Sequence, residues 1–324
     1  MIKYPPIKIN LGLNVLRKRE DGFHDLETLF LESGRFHDTL EIVTGDDYSR
    51  TMASLAARYG DRGGICDGDI PALAQGISEN GKLMITVARA EGVDWDVRKD
   101  LCAKAYALLD NDFKLPPAKI FLEKNSPVGA GLGGGSADAA YTLTMLNDIC
   151  SLGLSTEQLA GYAARLGSDC AFFIFGRPMF GEGRGEVLTP FELAVDIVDA
   201  GGAACSGSGN DSSGTGTARP CTREHPEKGR PQYELQIVIP EGISVSTAEA
   251  YRGITPAIPE MRLKDVLARP VSEWKDLLVN DFEATVFKAH PELAAIKQSL
   301  YDSGAIYASM SGSGSALFAL YERR

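Results

Sequence analysis

Five glycines fall within residues 129–135, in the run Pro127-Val128-Gly129-Ala130-Gly131-Leu132-Gly133-Gly134-Gly135-Ser136. Glycine opens positive φ and removes the Cβ atoms that would hold a ligand away. Successive backbone N–H groups can then converge into an anion-binding concavity. An apolar-periodic helix is predicted from about Ala137 to Ile149, and its amino end adds unpaired N–H groups and the positive end of a dipole. Polyphosphate is the ligand such a loop suits. The run also contains G-x-G-x-x-G at Gly129, Gly131 and Gly134, the spacing of dinucleotide-binding turns. That reading needs a parallel strand after the helix, whereas a second helix is predicted there. No Gly-Lys-Ser/Thr follows, so the run is not a Walker A loop. A loop that merely packs tightly is the plain alternative.

Two further residues could do chemistry. Asp169 follows the end of the second helix and precedes an apolar run at 170–173. A carboxylate there can take a hydroxyl proton or cap the next element, and the sequence leaves both open. Lys8, alone in an apolar strand, could orient Asp169 or steady charge on a transferring phosphoryl group. Equally, it reads as a strand lysine whose stem lies along apolar surface. The four histidines show no zinc spacing, and no pair of the six cysteines makes C-x-x-C. Free thiols in a reduced cytoplasm are expected.

These residues need scaffolding, and the chain of 324 residues is long enough for two domains. Residues 7–15 alternate as a half-buried strand, and 17–22 form a charged turn ending in Asp21-Gly22. Strands are predicted at 24–31, 38–43, 82–88, 118–124 and 233–239. Helices are predicted at 100–110, 137–149, after the Ser155/Gln158 capping box, at 273–288 and at 291–301. A second glycine-rich turn, 311–315, leads into a final strand. Residues 44–81 read as a loop-rich excursion, and 201–230 as a flexible insertion too polar to order itself. Mixed strands and helices without strict alternation give an α+β class.

The composition is 44% hydrophobic and 24% charged, as in soluble globular proteins. A net charge of −11 argues against general affinity for nucleic acid or acidic membranes. It leaves room for a phosphorylated substrate met by a local positive field, although Arg17, Lys18 and Arg19 read most simply as a solvated turn. No run of 18 apolar residues exists, and the first residues read as mature protein without a signal peptide.

The run PVGAGLGGGSADAA resembles the motif P-x-x-x-G-L-G-S/G-S/G-S-A/S of the GHMP kinases, the superfamily of galacto-, homoserine, mevalonate and phosphomevalonate kinases. Lys8-Ile-Asn10-Leu resembles its first motif, and Ser309-Met-Ser-Gly312-Ser-Gly314-Ser its third. The resemblance implies a ribosomal protein S5 domain 2-like domain over 1–180 and a ferredoxin-like α/β-plait domain over 181–324. It implies ATP as donor, held by Lys124, Pro127, Val128, Gly129, Ala130, Gly131, Leu132, Gly133, Gly134, Gly135, Ser136, Gly312 and Gly314. Mg²⁺ would be a transient companion of the nucleotide, with Ser136 as a candidate contact, and no resident metal is expected. Asp169 would be the base and Lys8 its partner.

The opening is more particular. Lys8-Ile-Asn10-Leu through Arg17-Lys-Arg19-Glu-Asp21-Gly22-Phe23-His24 resembles the branch whose acceptor is a methylerythritol bearing cytidine diphosphate, phosphorylated on a hydroxyl for non-mevalonate isoprenoid synthesis. Gly167-Ser-Asp169-Cys-Ala-Phe-Phe and Asn280-Asp281-Phe-Glu283 resemble its later motifs. The resemblance implies that Asn10, Phe23, His24 and Thr247 meet the acceptor, with the Phe23 ring stacked on cytosine and His24 reading the base edge. Phe23 replaces a commoner tyrosine, Asp100 an asparagine, Ala137 a serine, and Cys170-Ala171 a Val-Pro. The rival readings are a GHMP kinase for homoserine, mevalonate or a sugar, and a non-catalytic nucleotide-binding protein. The expected partner is a small molecule, with no nucleic acid and no membrane, for a cytoplasmic monomer or weak homodimer.

Overall fold

The computed structural model describes residues 1–45, 72–200 and 231–323. In order come β1 (Ile2–Lys3), β2 (Pro6–Lys18), β3 (His24–His37), β4 (Thr39–Thr44), β5 (Leu73–Ile77), β6 (Leu83–Arg89), α1 (Leu101–Phe113) and β7 (Ala118–Lys124). Then follow α2 (Gly134–Ile149), α3 (Thr156–Ala164), α4 (Cys170–Phe175), β8 (Met179–Glu182), β9 (Val187–Pro190), β10 (Asp196–Asp199) and β11 (Gln232–Val238). The chain closes with α5 (Thr247–Arg252), α6 (Leu263–Leu267), α7 (Trp274–Leu277), α8 (Phe282–Ala289), α9 (Pro291–Asp302), β12 (Tyr307–Met310) and β13 (Leu317–Glu322).

Three sheets form among the described residues, in the orders β1-β4-β7-β6-β5, β2-β3-β8-β9 and β10-β11-β13-β12. Helices α1 to α4 cover the first sheet, where Ile85, Ile120, Tyr106 and Leu143 share one core. The β2–β3 sheet is buried on both faces. Ile7, Ile9, Leu11, Leu29 and Leu31 pack against Leu263, Trp274, Tyr307 and Phe318 of the C-terminal half. The opposite face carries Phe30, which meets Ala137, Phe172 and Phe173 from α2 and α4. Period-2 alternation therefore sends Lys8 and Asn10 into the protein beside the glycine loop, not out to water.

The α+β class stands, with four local differences. The strand β5 lies inside the stretch read as loop at 44–81. Its sequence LAQGI has little apolar periodicity, and pairing with β6 carries it. Gly76 lets the Arg98 stem lie alongside, since a Cβ there would sit 2.7 Å from Arg98 Cγ. The loop's helix begins at Gly134, not Ala137, because Gly133 takes a left-handed φ of 70° at its N-cap. The helix predicted over 273–288 is broken between α7 and α8. There Leu13 N–H donates to Val279 O and Asp281 N–H donates to Leu13 O, both at 2.9 Å, so pairing with β2 replaces a helical turn. Finally, β8 and β9 extend the β2–β3 sheet, so a boundary at 180/181 cuts β8. We propose a boundary after Pro190. The rest of the excursion, 46–71, and the insertion at 201–230 lie outside the described residues.

The strand–loop–helix order settles one alternative. After α2 comes α3, opened by the Ser155/Gln158 capping box. The parallel neighbour of β7 is β6, which precedes it. The β–α–β unit of a dinucleotide turn is not built here.

Candidate active site

The glycine loop leaves β7 through a buried polar anchor. Asp38 Oδ1 accepts the N–H groups of Asn125 and Ser126, each at 2.7 Å. Lys124 Nζ bonds Asp38 Oδ2, and also Asp138 Oδ2 at 2.6 Å. Lys124 therefore stands under the loop as a structural tie. It also lines the adjoining cavity, of about 400 Å³, together with residues 127–136, Trp95, Lys99, Asp100, Leu101 and Asp138. Asp138 Oδ1 is buried and has no hydrogen-bond partner. Burial pushes this carboxyl well above the usual range, against the opposing pull of Lys124. Asp100 caps α1 by accepting from Cys102 N–H at 2.9 Å and also accepts from the Trp95 indole at 3.1 Å. Trp95 and Lys99 carried no signal in the sequence as cavity residues.

The second glycine turn locks onto the first. Ala316 N–H donates to Ala130 O at 3.1 Å, and Ser311 Oγ to Gly131 O at 3.2 Å. A Cβ at Gly131 would lie 2.3 Å from Ser311 O, which is why the position requires glycine, here with φ of 76°. Gly312 and Gly314 thus pack against the loop and do not line the cavity. Asn280, placed by the broken helix, donates to Met310 O and Gly312 O at 2.7 and 2.9 Å.

At the inner end of the loop the two candidate catalytic side chains meet. Lys8, 3% exposed, places Nζ 3.2 Å from Asp169 Oδ2 and 3.0 Å from Gly131 O. Its ammonium also bonds Asn10 Oδ1, while Asn10 Nδ2 donates to Thr28 Oγ1 at 3.0 Å. The solvent-reaching lysine is thereby excluded. Asp169 stands at the N-cap of α4 but accepts no hydrogen bond from that helix, so its carboxylate is not a cap. The thiol of Cys170, next in sequence to Asp169, is pushed up to about 11 by burial. Cys102, Cys150 and Cys170 are free thiols.

Beyond Asp169 lies an aromatic wall. The His24 ring stacks on Tyr251 at 4.7 Å and 21°, and Tyr251 packs edge-on against Phe282. Burial, then the nearby Asp169 charge, pushes the Tyr251 phenol up. Burial, then Lys18, lowers the His24 pKa and keeps the imidazole neutral near pH 7. Thr247, on the same helix as Tyr251, lies 3.3 Å from Ser313 Oγ. Phe23 stands apart in the β2–β3 turn, 53% exposed. Tyr251 was missed because only the docking of α5 beside β3 brings it there.

Comparison with known proteins shows the family of the chain. The family model described as GHMP kinases N terminal domain matches residues 100–177, and that described as GHMP kinases C terminal matches 263–324. The chain is 38% identical over 321 residues to a 4-diphosphocytidyl-2-C-methyl-D-erythritol kinase of Bacteroides fragilis, covering 99% of this chain and 92% of that one. It is 39% identical over 322 residues to the enzyme of that name from Bacteroides thetaiotaomicron, with the same coverage. A crystal structure of 4-(cytidine 5'-diphospho)-2C-methyl-D-erythritol kinase aligns with a TM-score of 0.64 at 26% identity, covering 99% of this chain and 90% of that one. A mevalonate kinase structure, at 11% identity and a TM-score of 0.56, shares the fold.

Proposed function

The chain belongs to the 4-diphosphocytidyl-2-C-methyl-D-erythritol kinases, a branch of the GHMP kinases, and from that membership we propose how its residues divide the reaction. The protein is a kinase of isoprenoid precursor synthesis that moves a phosphoryl group from ATP to a hydroxyl of 4-diphosphocytidyl-2-C-methyl-D-erythritol, giving the 2-phosphate. The nucleotide's phosphates lie on the N–H groups of residues 129–136 and the amino end of α2, where the dipole and unpaired donors favour negative charge. Its base enters the cavity beside Trp95 and Leu101.

Asp169 takes the proton of the attacking hydroxyl as the new O–P bond forms and ADP leaves. Lys8 holds Asp169 and steadies charge on the transferring phosphoryl group. The observation that carries this division is that Lys8 Nζ bonds Asp169 and Gly131 O together, tying the base to the phosphate loop. Asn10 and Thr247 border the sugar-like part of the acceptor. Phe23 receives the cytosine by stacking, and the neutral His24, held by Tyr251, reads the edge of the base.

Mg²⁺ fits the oxygen donors at the cavity, the Ser136 hydroxyl and the unpaired Asp138 Oδ1, both of the hard type it takes. Carried by the nucleotide, it supplies charge neutralisation on the phosphates. Among the described residues no helix is long and apolar enough to cross a membrane. A cytoplasmic enzyme, monomeric or weakly dimeric and without a nucleic-acid partner, suits the acidic chain and its thiols.

The test is ADP release with the cytidyl acceptor, homoserine and mevalonate in turn. Turnover with the cytidyl acceptor alone is expected. Turnover with homoserine or mevalonate, and none with the cytidyl acceptor, overturns the reading.

A further inference from the structure

The turn between β8 and β9 reads Gly183-Arg184-Gly185-Glu186, and both glycines hold positive φ, 69° and 102°. The φ of Gly183 disfavours any side chain there, and the Glu186 carboxylate fills the space beside it, 2.9 Å from where a Cβ would lie. It is docked on β3, where Leu26 N–H donates to Gly183 O at 2.7 Å. The Arg184 N–H donates to Glu186 Oε2 at 2.5 Å, and its guanidinium lies 3.4 Å from Glu186 Oε1. A rigid turn therefore projects one arginine in a defined direction.

That direction is the Phe23 ring. The guanidinium carbon lies 4.8 Å from the ring centroid. Beneath, Asp21 accepts the Phe23 N–H at 3.1 Å, and the Arg184 charge is among those that lower the Asp21 carboxyl. Phe23 is the most exposed aromatic ring among the large exposed side chains of the described residues. A phenyl ring has two faces, and Arg184 takes one. A planar guanidinium suits that role, both as a flat partner and as a cation over the ring quadrupole.

We propose that Arg184 is a positioning residue for the acceptor: by stacking on one face of Phe23 it fixes the ring so that the acceptor's pyrimidine base stacks on the other. This rests on the reading that the acceptor's base meets Phe23. An unsupported ring on a hairpin turn loses rotamer freedom when a ligand stacks on it, and a ring already held loses less. Arg184 touches neither the phosphate loop nor Asp169, so its effect falls on acceptor binding.

The experiment is steady-state kinetics of the full chain and its Arg184→Ala, Arg184→Lys, Phe23→Leu and Phe23→Leu/Arg184→Ala variants, varying acceptor and ATP separately. Arg184→Ala raises the acceptor KM about two- to fivefold, as expected for a solvent-facing cation–π contact, and leaves kcat and the ATP KM unchanged. Arg184→Lys recovers part of the loss. The double variant is no worse than Phe23→Leu, because Arg184 acts through the ring. An unchanged acceptor KM in Arg184→Ala overturns the inference, as does a matching rise in the ATP KM or full additivity in the double variant. If the wild type does not use the cytidyl acceptor, the functional reading falls and this inference with it. If it does and Arg184→Ala behaves as wild type, only the inference falls.

Discussion

Asp169 occupies the amino end of α4 without capping it, and its carboxylate instead lies 3.2 Å from the buried Lys8 ammonium. A helix start normally uses an acidic side chain for its own N–H groups. Here that use is forgone and the carboxylate faces the space between the phosphate loop and the His24–Tyr251 wall. Asp169→Asn keeps the shape and removes the proton acceptor. It should lower kcat by about 10²- to 10⁴-fold while ATP binding, followed by fluorescence titration or calorimetry, stays as in wild type. A kcat within threefold of wild type removes Asp169 from its role as base.

Gly131 joins the two glycine turns, and its replacement separates them. Gly131→Ala forces a Cβ to within 2.3 Å of the Ser311 carbonyl oxygen at a φ of 76°. The obstacle is backbone, so no rotamer relieves it, and the left-handed conformation alone costs about 1 kcal/mol. The ATP KM should rise about tenfold or more, and the thermal midpoint should fall by several degrees. Gly129→Ala is the control, because the nearest atom to its Cβ is Ser244 Oγ at 3.8 Å. It keeps the backbone penalty without the collision, so it should be the milder of the two in both measurements.

Much of the site was legible because it is written in local chemistry. A glycine run before a helix, an isolated lysine in an apolar strand and a carboxylate at a helix start are visible without coordinates. Residue roles that depend on distant docking were not. Tyr251 reaches His24 only because α5 packs beside β3, and Asn280 reaches the second glycine turn only because Leu13 draws the chain out of a helix. Trp95 meets Asp100 across a short 3₁₀ turn that apolar periodicity does not reveal. Lys124 reads as a nucleotide lysine in sequence, whereas its ammonium is shared between Asp38 and Asp138 beneath the loop. The break at 278–281 shows why periodicity failed there, since the apolar positions continue while the hydrogen bonds change partner.

Glu32 lies opposite Lys8 in the β2–β3 register and is buried, with no hydrogen-bond partner for either carboxylate oxygen. Burial raises its pKa to about 8. The folded protein therefore holds a proton that the unfolded chain releases near pH 4.5, the ordinary value. With more protons bound in the folded state, stability falls as pH rises through this window. The contribution is full below about pH 4.5 and lost as pH climbs through about 8, on the order of 5 kcal/mol in all. Glu32→Gln has the same shape and no proton to lose. Urea denaturation at pH 5 and pH 8 should show the variant gaining on wild type by several kcal/mol between the two, and parallel pH curves would argue against a protonated Glu32.

Tyr251 offers a separable test of the acceptor wall. Its ring stacks on His24 and meets Phe282 edge-on, with both centroids at 4.7 Å. Its phenol, pushed up by burial and by the charge of Asp169, stays protonated through the range in which a kinase is assayed. The ring and the hydroxyl can therefore be removed one at a time. Tyr251→Phe keeps both ring contacts and should leave the acceptor KM within about twofold, with no change in the pH profile between pH 6 and 9. Tyr251→Leu removes the stack, worth about 0.5–1.5 kcal/mol for an aromatic pair, and frees His24 to turn. The acceptor KM should then rise about two- to tenfold while the ATP KM does not move, since α5 does not line the nucleotide cavity. If the two variants raise the acceptor KM equally, the hydroxyl and not the ring carries the contact, and the stacked wall is not what receives the base.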